Sequence, residues 1–107
     1  MTASAPRIVA LVDDLMDRSR VSGAVPDVEF VRNPTAAAGA RVVIVDLARH
    51  GGAVASLRAV APDARIVAFG PHVDDASLDA ATADGADVVL PRSRFFRDPA
   101  SAVAPGP

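Results

Sequence analysis

The chain has 107 residues, half of them apolar and 22% charged, with a net charge of −2. That is one domain's length, it is too apolar for a disordered chain, and neither its acids nor its arginines form the long run that a nucleic-acid footprint needs. Cysteine is absent and all 11 basic residues are arginine, so disulfides, thiolate metal sites, cysteine nucleophiles and lysine-amine chemistry are excluded.

The first apolar run, Ile8-Val9-Ala10-Leu11-Val12, is nearly continuous and reads as a strand buried on both faces, as in a parallel sheet. Asp13 or Asp14 then caps a helix that runs to about Ser22, where Gly23 is expected to stop it. Val28-Glu29-Phe30-Val31 alternates and suits an edge strand. From Asn33 to Gly39 there is room for about one helical turn of ~3.6 residues, so the second crossover is short.

Val42-Val43-Ile44-Val45 is the next strand, followed by a helix from Gly52 to Val60 whose stripe is Val54, Leu57 and Val60 or Ala61, ended by Pro62. Ile66-Val67-Ala68-Phe69 is a fourth strand. A helix from Asp74 or Asp75 to Asp84, with Leu78 and Ala81 inward, ends at Gly85, and Val88-Val89-Leu90 closes the set. Pro91 to Pro99 leaves space for only a turn or two, and Asp98–Pro107, with three prolines, reads as a flexible tail.

Strands alternating with helices imply right-handed crossovers and an α/β, doubly wound five-stranded parallel sheet with shortened second and final helices, one domain over residues 7–97. With 23 Ala and 16 Val against 4 Phe and no Trp or Tyr, its core is thin. A missing final helix would leave one sheet face bare. Phe95 and Phe96 would then form an interaction surface for a protein partner or a second copy of the chain, unless they fold back onto their own sheet. No apolar run approaches the ~18 residues of a membrane span. Met1 to Arg7 lacks the order of a signal peptide, so a cytoplasmic protein is expected, with neither nucleic acid nor membrane as partner.

Ligands of open parallel sheets sit beyond the carboxyl ends of the strands. The residues there are Asp13 and Asp14 after the first strand, Asp46 after the third, Gly70-Pro71-His72 after the fourth and Arg92 after the fifth. Clustered carboxylates of this kind suit Mg²⁺ or Ca²⁺. The alternative without chemistry is that Asp13 and Asp14 cap a helix while Asp46 pairs with Arg92. His72, at the mouth of the same cleft, would serve a small enzyme or metal-binding protein as base or ligand, and His50 is a second loop histidine. No glycine-rich phosphate loop follows the first strand, which argues against nucleotide or flavin binding.

Three segments, Ile8-Val9-Ala10-Leu11-Val12-Asp13-Asp14, Val42-Val43-Ile44-Val45-Asp46-Leu47 and Gly85-Ala86-Asp87-Val88-Val89-Leu90 with Arg92 after it, resemble response-regulator receiver domains. The resemblance covers Arg7 to Phe95 and implies a flavodoxin-like, CheY-like fold. It further implies that Asp13, Asp14 and Asp46 hold Mg²⁺ and that Asp46 accepts a phosphoryl group from a histidine kinase. A Thr or Ser after the fourth strand and a Lys after the fifth would complete the family's site.

This sequence departs at both of the last positions. Gly70 stands for the hydroxyl residue and Arg92 for the lysine, Ser93 replaces the usual proline, and Val88 and Val89 stand where a switch aromatic is common. Arginine prefers a planar, bidentate hold on a carboxylate, and an Arg92 fork on Asp46 would close the site without metal or phosphate. The expected function is therefore that of a stand-alone pseudo-receiver: a phosphorylation-independent, self-associating interaction module that is not an enzyme. The alternative is a working two-component receiver phosphorylated on Asp46.

Overall fold

The computed structural model describes residues 7–71 and 75–104. The β-branched runs pack well on a pleated surface and form five strands. These are β1 (Ile8–Leu11), β2 (Val28–Phe30), β3 (Val42–Asp46), β4 (Arg65–Gly70) and β5 (Val88–Pro91), in one sheet of order β2-β1-β3-β4-β5. Every pairing is parallel, with Ala10 opposite both Phe30 and Ile44, and Asp46 opposite Phe69.

The two-residue period of a strand divides the core in two. Val9, Leu11, Val43, Val45 and Ile66 face one side, and Ala10, Val12, Ile44, Val67 and Phe69 face the other. The helices are α1 (Leu15–Ala24), α2 (Leu47–His50), α3 (Val54–Val60), α4 (Asp75–Ala83), α5 (Arg92–Arg97) and α6 (Pro99–Val103). Leu47, Val54, Leu57 and Ala81 bring α2, α3 and α4 onto the first face, while Val21, Phe95 and Val103 bring α1, α5 and α6 onto the second. The crossover from β2 to β3 is short, a single 3₁₀ turn at Pro34–Ala37. Asn33 accepts from the N–H of Ala36, and Arg7 donates to the carbonyls of Ala36 and Ala38, so this short turn has its polar groups engaged.

Several sequence expectations change. Gly23 does not stop α1, which continues to Ala24 and closes where the N–H of Val25 meets the carbonyl of Val21, just before Pro26. The helix expected from Gly52 is broken into α2, a 3₁₀ turn at Gly51–Ala53, and α3. The sequence hides α2 because its one buried residue, Leu47, makes no stripe.

The tail expected to be flexible from Asp98 is helical over Pro99–Val103. Asp98 accepts from the N–H of Ser101, Pro99 takes a first-turn position, and Val103 is buried. Proline breaks a helix interior but suits its start, where an N–H has no partner to lose. The second sheet face is accordingly covered. Phe95 is fully buried and stacks on Phe69 with ring centroids 4.6 Å apart, while Phe96 meets both rings edge-on at 4.9 and 5.1 Å. Of the interaction surface expected of Phe95 and Phe96, Phe95 is thus part of the core and Phe96 half-buried against it, because these rings supply the volume that alanine and valine cannot.

At the amino edge of the sheet, Arg58 donates to the carbonyls of Pro62, Ala64 and Gly85 and to Asp87, which also accepts from the N–H of Ile66. Gly85 has φ +115°, and a Cβ there would lie 3.1 Å from Cγ of Arg58. Gly85→Ala is expected to lower the unfolding free energy by about 1–3 kcal/mol in urea titrations, through backbone strain and displacement of this clamp. Gly23→Ala, in open space within α1, is expected to leave stability unchanged or raise it by about 0.5–1 kcal/mol.

Candidate functional site

Asp46, the last residue of β3, is 3% exposed. Its Oδ1 accepts from the N–H of Ala48 at 3.0 Å, which starts α2 directly after the strand. Burial pushes its carboxyl above the ordinary aspartate range, against the opposing pull of the Ala48 N–H and of the positive charge of Arg92.

Arg92 begins α5 immediately after β5 and would be the natural neutraliser of Asp46. It turns instead to Asp17 in α1, with Nη1 donating to Oδ2 at 2.9 Å and Nη2 to Oδ1 at 2.8 Å. The Arg92 fork expected on Asp46 is therefore on Asp17, a residue the sequence reading passed over. Asp17 stands one turn before Val21, and these are the two buried residues of α1, so the four-residue spacing marks the face of Asp17 but not its partner. Asp17 is 4% exposed, and its hydrogen bonds to Arg92 hold its carboxyl below the usual range despite burial. The guanidinium also lies over the rings of Phe96 at 5.1 Å and Phe69 at 5.7 Å, so charge, hydrogen bonding and ring faces fix it together.

The three acids expected to share a metal have separate partners. Asp14 is the cap of α1, Asp46 caps α2, and Oδ1 of Asp13 is 3.1 Å from Nε2 of His50, which lowers the Asp13 carboxyl. Among the described residues no group of three or more acids and histidines could hold a metal ion. As arranged, Asp13, Asp14 and Asp46 each engage a different partner rather than one another.

Gly70, at the end of β4, is packed tightly. A Cβ there would stand 3.3 Å from Cβ of Leu47 and 3.4 Å from Cδ2 of Leu78. His72 lies outside the described residues, and His50 is the partner of Asp13.

Solved structures of the same architecture are plentiful. A response regulator from Burkholderia pseudomallei with a phosphorylated aspartic acid and a calcium ion superposes with a TM-score of 0.78 at 19% identity, over 94% of this chain and 67% of that one. The fold is that of a response-regulator receiver. A receiver domain from Clostridium thermocellum gives 0.75 at 15% identity over 92% and 91% of the two chains, and a response regulator from Thermotoga maritima gives 0.69 at 16% over 83% and 86%. No protein-family model and no curated protein matches the chain. No described helix is long and apolar enough to cross a membrane.

The two buried acids of this receiver fold titrate in opposite senses. Asp17 has a depressed value when folded, so its stabilisation is complete above the ordinary carboxylate value of ~3.9 and is lost as pH falls through the depressed one. Asp46 has a raised value, so its charge opposes folding above that value and ceases to matter below the ordinary one. Asp46→Asn keeps an acceptor for Ala48 and is expected to raise Tm at neutral pH, with the gain fading to nothing as pH falls below ~3.9. Asp17→Asn is expected to lower Tm at neutral pH and flatten its acid dependence. Calorimetry over this range checks both, and a lower neutral Tm for Asp46→Asn would contradict the uncompensated burial of Asp46. Arg92→Lys, which replaces a fork by a point charge, is expected to lose about 1–3 kcal/mol in the same assay.

Proposed function

We propose that the chain is a pseudo-receiver, a receiver-fold interaction module that acts on a protein partner, or on a second copy of itself, without phosphorylation and without catalysis. The observation that carries this reading is the Asp17–Arg92 fork beside a buried, capped Asp46. A phosphoryl switch works by giving new charge new contacts that bias a two-state element. Here the cation that would answer a phosphoryl group is held by another acid, and Gly70 offers no hydroxyl to follow it. Breaking the fork would leave the buried Asp17 carboxylate without its hydrogen-bond donors, a loss of about 1–3 kcal/mol given that Arg92 is partly exposed.

A working receiver is the second reading, favoured by the position of Asp46 at the carboxyl end of the central strand β3, within electrostatic reach of Arg92. A histidine kinase would then be the donor and Mg²⁺ the counter-ion, after Asp13 had left His50. Incubation with acetyl phosphate and Mg²⁺ followed by intact mass and sedimentation analysis separates the two. The pseudo-receiver is expected to gain no phosphoryl mass and to keep its sedimentation unchanged. An added phosphoryl group that disappears in Asp46→Asn would establish the working receiver instead.

A further inference from the structure

A second site stands on the β2 side of the same sheet edge. Asp13, Leu15, Arg18, Arg32 and His50 line a pocket of about 400 Å³, within the roughly 300–1,000 Å³ typical of small-molecule sites. It draws on residues that follow β1 and β2 and on the last residue of α2, whereas the Asp17–Arg92 pair is made by other residues, one of them following β5. Its charges are unbalanced. Asp13 is engaged by His50 and lies within the electrostatic reach of Arg18, while among the described residues neither Arg18 nor Arg32 forms an ion pair in contact with an acid.

Arg18 is nonetheless held in place. Its Nε donates to the carbonyl of Val12 at 2.6 Å and its guanidinium lies 5.1 Å from the centre of the Phe30 ring, which leaves the two Nη groups to meet an incoming oxyanion. A preset guanidinium reduces the ordering entropy lost on binding, and its fork matches carboxylate and phosphate oxygens. Leu15, 78% exposed, adds an apolar wall. With Met16 it supplies the exposed large hydrophobics among the described residues.

We infer that this pocket binds a small organic oxyanion, a carboxylate or phosphate monoester joined to a compact apolar group, with Arg18 and Arg32 on the oxygens and Leu15 against the apolar part. The site needs no phosphoryl group on Asp46 and takes its ligand with Asp13 held by His50. Titration of the full-length chain with phenyl phosphate and with benzoate, followed by amide ¹H–¹⁵N shifts, tests it. Saturable shifts are expected at residues 13–18, 32 and 48–50, and whichever probe binds more tightly identifies the oxyanion. Arg32→Gln, an exposed change that leaves the core intact, is expected to weaken binding about tenfold, the loss of one charge-assisted hydrogen bond, and Arg18→Gln at least as much. Arg94→Gln, on α5, is expected to change nothing. Absence of saturable shifts with both probes, or equal affinity in Arg32→Gln and the unaltered chain, would overturn the inference.

Discussion

The guanidinium of Arg92, gripped by both oxygens of Asp17 and laid over two phenylalanine rings, ties α1 to the end of β5 and the start of α5. Most features of the acidic edge depend on where this one cation points. With Arg92 committed, Asp46 has a backbone N–H as its hydrogen-bond donor and is buried without a bonded cation. At the end of β4, a Cβ on Gly70 would press on Leu47 and Leu78, so a glycine packs there without displacing either leucine.

The absence of lysine has a broader structural consequence. A guanidinium presents five donors in a rigid plane, whereas an ammonium presents three on one atom. Arg7 holds the 3₁₀ turn by two carbonyls as well as Glu29, Arg58 gathers three carbonyls and Asp87 at the amino edge, and Arg92 closes the carboxyl edge. Short helices leave a larger share of their carbonyls without an intrahelical partner, and turns between them add more. Multi-donor side chains answer those needs with few residues, which suits a domain whose crossovers are abbreviated and whose core is mostly alanine and valine.

The sheet was legible because its signal is local. Uninterrupted Val and Ile runs of four or five residues, punctuated by Asp, Gly and Pro, specify buried parallel strands, and β5 is recognisable even at three apolar residues. What escaped was set by single capping hydrogen bonds: Asp46 starting α2, and Asp98 with Pro99 starting α6. Both carry Asp at a strand or turn end, a residue with several possible roles in sequence. The choice of Asp17 over Asp46 as partner for Arg92 is non-local, made across 75 positions, and follows from the stacking of Phe69, Phe95 and Phe96, which sets the place of α5. The inventory of acids at the strand ends was correct in position, but their partners were fixed by packing that the pattern of residues does not express.

The central proposal is that Arg92, held by Asp17, does not turn to answer a phosphoryl group on Asp46. A crystal structure grown with Mg²⁺ and beryllofluoride, a phosphoryl mimic, addresses it directly. The account predicts Arg92 on Asp17, Leu47 against Gly70 and no beryllofluoride on Asp46. Beryllofluoride bound to Asp46, with Mg²⁺ beside it and Arg92 turned from Asp17 to its fluorine atoms, would contradict it.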